Sequence, residues 1–143
     1  MNSDTMAIGY DWVMANTADR AEFWKEFICT RCHFPNPERL RAQFAAATLF
    51  DFCGCGCNSF AVSVPVSAYI EPIAQRNSGN LIFEADFSLA EEGKTLEILL
   101  FTNESGNLGY VEIDCCANAY PVPDVIEVRE PPYHVFAAEG LLR

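Results

Sequence analysis

Basic side chains are scarce in this chain: 9 Lys and Arg stand against 20 Asp and Glu, a formal charge of -11 over 143 residues. Such a surface repels nucleic-acid phosphates and anionic lipid, so neither is an expected partner; a basic protein is the partner it favours. Solubility alone is also served by the same charge. Histidine is scarcer still, with only His33 and His134 available for imidazole chemistry. No apolar run approaches the roughly 18 residues that cross a bilayer. The opening MNSDTMAIGYDW lacks a basic stretch leading into an apolar one. It does not read as a secretory leader, and the expected location is cytoplasmic. Also missing are a glycine-rich phosphate loop with lysine, an HExxH pair and a dinucleotide fingerprint.

What is present is apolar and patterned. Half of the residues are hydrophobic, which supports a folded core in one ordinary domain spanning 1–143. Residues 1–16 read as an arm whose Tyr10, Trp12 and Val13 tuck against that domain. From Thr17 the period is helical, with Asn16 or Thr17 as cap and Phe23, Trp24, Phe27 and Ile28 as an apolar stripe. Pro35 and Pro37 in HFPNPE end that helix, because the residue before a proline avoids helical geometry. Asn36 and Pro37 then open a second helix through about Ala45, with Leu40 and Phe44 inward.

After Ala46 the period changes to two. ATLFDFC and SFAVSV predict two antiparallel strands joined through the glycine-containing segment GCGCN, with Phe50 and Phe52 on one face of the first. Residues 67–80 are a longer connection. Three further runs, beginning at Leu81, Thr95 and Leu108, are separated by the turns AEEGK and TNESGN and predict an antiparallel meander. The expected fold is α+β, with two N-terminal helices covering one face of a sheet of four to six strands. Residues 120–143, with Pro121, Pro123, Pro131 and Pro132, read as an extended tail across the surface.

Seven cysteines are the main chemical feature. Cys29-Thr-Arg-Cys32-His33 matches the CxxCH pattern of covalent haem attachment, but that chemistry is done outside the cytoplasm. A thioredoxin-like pair belongs at a helix N-terminus, where the dipole favours a thiolate, whereas this pair falls at a C-terminus. Zinc is the stronger proposal. Cys29, Cys32 and His33 together with Cys53, Cys55 and Cys57 supply soft ligands in the number a tetrahedral site needs. Against it, the second cluster is C-x-C-x-C and the core is large enough to fold without metal. Burial accounts equally for Cys29, Cys32 and the vicinal Cys115 and Cys116 as small apolar residues. The triplet Cys53-Gly54-Cys55-Gly56-Cys57 is accordingly expected as a structural corner holding no metal and no disulfide, with at least one glycine in a conformation hostile to a β-carbon.

The segment LRAQFAAATLFDFCGCGCNSFAVSV resembles a group of small uncharacterised bacterial proteins. In them an L-x-x-Q helix leads to a Cys-Gly-Cys segment and a strand, and a later strand pair precedes a Pro-containing tail. The likeness covers residues 38–125 and centres on Cys55-Gly56-Cys57. Many members have Pro-Ser where this chain has Asn58-Ser59. The resemblance implies an α+β fold and carries over no catalytic residue.

Three functional classes remain, of which a binding domain is the leading expectation, a zinc protein the first alternative and a thiol-dependent enzyme the second. A binding domain would meet a basic partner through Glu84, Asp86, Glu97, Glu112 and Asp114, which alternation puts on the outer face of the sheet. A zinc protein would use the two cysteine clusters. A thiol-dependent enzyme would use one cysteine, with a pair such as Cys57 and His134 satisfying the residue types though not favoured by spacing.

Overall fold

In the computed structural model, which describes residues 15–78 and 80–143, the two periodicities produce the elements they imply. Helix α1 spans Ala18–Arg31 and helix α2 spans Pro37–Ala46. Thr17 caps α1 by accepting from the Arg20 N–H, and Asn36 caps α2 by accepting from the Arg39 N–H. Each cap satisfies one of the backbone donors that a helix start leaves without a partner. Between the helices His33 sits at φ 64°, which turns the chain out of α1. No described helix is long and apolar enough to cross a membrane.

Six strands follow: β1 Thr48–Phe50, β2 Phe60–Ser63, β3 Leu81–Leu89, β4 Thr95–Thr102, β5 Leu108–Cys115 and β6 Val128–Ala137. They form one antiparallel sheet in the order β1-β2-β5-β4-β3-β6. β3, β4 and β5 are the expected meander, and the strict alternation along β4 buries Leu96, Ile98 and Leu100 on the helix side. The helices cover that side with Trp24, Phe27, Ile28, Leu40 and Phe44, all buried. Phe27 meets Phe87 edge-on at 5.4 Å and Phe34 meets Phe83 at 5.1 Å, contacts that pin the α1 end of the layer to β3. Such aromatic pairs add about 0.5–1.5 kcal/mol beyond their buried area.

One polar side chain crosses this apolar layer. Gln43 on α2 is fully buried, donates to the Glu71 carbonyl and Asn107 Oδ1, and accepts from the Leu108 N–H. It thereby fixes α2 to the start of β5. At the same end Gly106 brings its backbone against the 73–74 segment: Ile73 and Ala74 both donate to its carbonyl. At φ +85° it has no room for a β-carbon, which would run into the Ala74 carbonyl.

Several expectations are corrected. The tail is not simply laid across the surface: its residues 128–137 are β6, a full edge strand paired with β3, and Leu141 beyond it is buried. Proline is compatible with an edge because an outward N–H has no partner to lose. Phe50 and Phe52 do not share a face. Asp51 sits at φ 52°, so β1 stops and the rings part, Phe50 exposed and Phe52 packed on the core. Phe23 stands at the edge of the α1 stripe, exposed, with the Arg20 guanidinium over its ring. The 67–80 connection carries a single 3-10 turn at Val66–Ala68 and an isolated bridge from Ala74 to Leu141. Tyr10, Trp12 and Val13 of the expected arm lie outside the described residues.

Candidate metal centre

The segment 51–59 connects β1 to β2, as expected, and it is held from many sides. Asn58 is its anchor: buried, its Oδ1 accepts from both Arg20 Nε at 3.0 Å and Trp24 Nε1 at 2.9 Å. Its N–H donates to the Ile113 carbonyl of β5, while the Ile113 N–H donates to Ser59 Oγ. Asn16 Nδ2 donates to the carbonyls of Cys53 and Ser59, and the Cys53 N–H also donates to Ser59. From the C-terminal side the Val122 N–H donates to the Gly56 carbonyl. Gly56 has φ +107°, and a β-carbon there would touch Pro121 at 3.4 Å. The expected glycine-dependent corner is therefore present at Gly56, while Gly54 faces open space.

This framework gathers the three thiols. Cys53 Sγ lies 2.9 Å from Cys55 Sγ, which lies 3.2 Å from Cys57 Sγ. These are longer than the disulfide bond length of about 2.05 Å. All three sulfurs fall within 4.8 Å of one another, a spacing from which one ion can be reached. Cys53 is half-buried, Cys55 exposed and Cys57 buried. The thiol of Cys53, then the N–H and thiol of Cys57, donate to Cys55 and pull it down to about 7. Burial pushes Cys57 up to about 12. The loop thus presents one readily ionised sulfur at the surface, Cys55, backed by a buried one, Cys57, that holds its proton more tightly.

The other proposed ligands are elsewhere. Cys29, Cys32 and His33 belong to neither group of metal-competent side chains among the described residues, so the six-residue zinc set is not assembled. Cys32 is wholly buried in the core while His33, one residue on, is exposed at positive φ. Burial pushes Cys29 up to about 11 and Cys32 higher still, as expected for thiols serving as packing. Cys115 is likewise buried, and burial pushes it to about 11.

The acidic residues do share the open face of the sheet, but not as five exposed charges. Register places Asp86 opposite Glu97, Glu97 opposite Asp114, and His134 of β6 opposite Asp86. Asp86 and Asp114 are buried. The Glu97 Oε1 accepts from the Ala117 N–H at 2.7 Å. Burial, then the hydrogen bond and charge of Asp86, raise Glu84 to about 7. Burial, then Glu112, raise Asp114 to about 7, with Cys55 a smaller contributor. Like charges on adjacent strands oppose one another, and protonation relieves them.

Glu84, Asp86 and His134 form the second group within ligand reach, with His134 Nδ1 2.9 Å from Asp86 Oδ2. His134 therefore faces the carboxylates of β3, and the Cys57–His134 pairing is not formed. Sequence reasoning missed this use of His134, because it lay in a stretch read as a tail and no alternation marks that stretch as a strand. It also missed Arg20 and Asn58, whose polar contacts bridge 38 residues and leave no local pattern.

The fold and this loop define an α+β domain that displays a pinned three-thiol corner beside an acidic sheet face. No family model matches the chain, and no curated protein or solved structure matches it either, so its chemistry is read from its own geometry.

Proposed function

We propose that this protein binds a soft or borderline cation, zinc first, through Cys53, Cys55 and Cys57. The observation that carries the reading is the convergence of three sulfurs on a loop whose backbone is tied to α1, β5 and the 121–123 segment. Thiolates select soft and borderline metals, and three protein ligands leave a fourth position for water, substrate or a second protein. Because Cys55 is exposed, that open position faces solvent, which suits transfer or exchange of the ion better than a closed structural role.

Elemental analysis of untagged protein tests this reading, with the wild type beside Cys55→Ser and Cys57→Ser. Both variants are expected to hold one zinc per chain fewer than the wild type, whereas Cys32→Ser holds as much as the wild type. Wild-type protein that takes up no zinc after reduction and reconstitution refutes it.

A reactive thiol is the second reading, supported by the exposure of Cys55 and its low pKa. A basic protein partner has weaker support. Two of the five carboxylates are buried, and Glu84 and Asp114 hold protons up to about pH 7, so the face carries less charge than its composition implies.

A further inference from the structure

We propose that Glu84, Asp86 and His134 form a second cation site, for a first-row divalent ion of the Mn2+ or Fe2+ type, on the open face between β3 and β6. This goes beyond the thiol loop and does not depend on it. The three side chains each offer a ligand atom, all within 4.8 Å of one another.

The site is built rather than incidental. The Asp86 side chain is only 9% exposed, and apart from the proton that Glu84 can share with this carboxylate its Oδ1 has no hydrogen-bond partner. A buried carboxylate oxygen without a donor is costly, and once Glu84 is ionised a bound cation compensates it. No Lys or Arg among the described residues makes an ion pair with Glu84, Asp86, Glu97, Glu112 or Asp114, which leaves His134 as the one protein cation paired there, and only when it is protonated.

One of the three spacings, a hydrogen bond in the metal-free protein, matches that of a six-coordinate ion. Bonds of about 2.1 Å at right angles put neighbouring ligand atoms about 3 Å apart. Asp86 Oδ2 and His134 Nδ1 are separated by 2.9 Å. Regular antiparallel register places His134: pairing runs one-for-one from Phe83 opposite Ala137 to Asp86 opposite His134, and the ladder is distorted only beyond that pair, where residues 130–133 bulge against Phe87.

Ligand chemistry sorts the ion. Two carboxylates and one imidazole suit Mn2+, Fe2+ or Zn2+, whereas the three-thiol loop attracts the softer ions. Mn2+ is the discriminating probe because it has little affinity for thiols. It also has a paramagnetic signal that reports binding directly.

The test is Mn2+ titration of the metal-free full chain, followed by electron paramagnetic resonance. Wild type, His134→Gln, Asp86→Asn and the combined Cys53→Ser, Cys55→Ser, Cys57→Ser variant are compared. Saturable uptake of one ion per chain is expected in the wild type and in the triple serine variant. Losing even a supporting partner weakens metal sites by about tenfold or more, so His134→Gln and Asp86→Asn should each weaken binding at least that much. His134 is on an exposed edge strand and Asp86→Asn keeps the side-chain shape, so both variants should melt no lower than wild type without metal. Absence of saturable binding overturns the proposal. So does binding that survives His134→Gln unchanged, or binding lost in the triple serine variant, which would place the ion at the thiols.

Discussion

Cys55 owes its character to neighbours two residues away on each side. An exposed thiol beside no donor ionises at about 8.5. Here Cys53 and Cys57 donate to it and Gly56, at φ +107°, lets the chain turn tightly enough for them to do so. In reduced, metal-free protein, the rate of Cys55 alkylation should therefore rise with pH to half its maximum near 7. Cys53→Ala removes the first of those donors and should move that midpoint up by about one unit. Rates read by peptide mass spectrometry across pH 5–10 check this; a wild-type midpoint at 8.5 or above would show that the sulfurs do not share protons in solution. The same residue-by-residue logic sets Cys32 apart. It is nearer in sequence to His33 than Cys55 is to its partners, but it is fully buried in the core, and burial raises its thiol well above the usual range.

Strands β3, β4 and β5 bring carboxyl groups together that the sequence holds many residues apart. Glu84 and Asp114 keep protons up to about pH 7 in the folded chain but release them near pH 4 when unfolded. A folded pKa above the unfolded one stabilises the fold at low pH, and that contribution disappears as pH rises through about 7. Glu84→Gln with Asp114→Asn removes the titration while keeping shape. The double variant and wild type should melt alike at pH 4, whereas at pH 8 the variant should melt higher, by on the order of 5 °C. Equal melting temperatures at pH 8 would mean that the two carboxyls titrate normally. Composition alone, at -11, indicated only that acid was abundant. The nearest crowding, Glu84 with Asp86 and Glu112 with Asp114, lies along single strands, and cross-strand register adds Glu97 to both pairs.

Edge strand β6 closes the molecule from the far end of the chain. It pairs along β3 from Phe83 to Leu89, and beyond it the Leu142 N–H donates to the Ile73 carbonyl, tying the terminus back to the loop that meets Gly106. Ending the chain at Glu127 leaves β3 as a bare edge with its N–H and C=O groups unpaired, a template for aggregation. The shortened protein should lose on the order of 10 °C in Tm or precipitate, as checked by thermal unfolding and size-exclusion chromatography. A monodisperse product with wild-type Tm would show that β6 contributes nothing to the stability of the sheet.

Local information was enough wherever an element's identity rests on its own repeat. Thr17 and Asn36 as caps, Pro37 at the start of α2, and the alternation of Leu96, Ile98 and Leu100 act within a few residues, so the helices and the meander could be read in order. The need for glycine in the thiol corner was legible for the same reason. The joining of distant segments was not. Arg20 and Trp24 meeting Asn58, β6 lying along β3, and His134 coming against Asp86 all depend on how packed layers and strand register close the chain. These contacts arise from packing, which carries no periodic trace. They separate Cys53, Cys55 and Cys57 as a candidate centre from Cys29, Cys32 and His33, whose motif looked equally good in one dimension but is divided between the core and solvent.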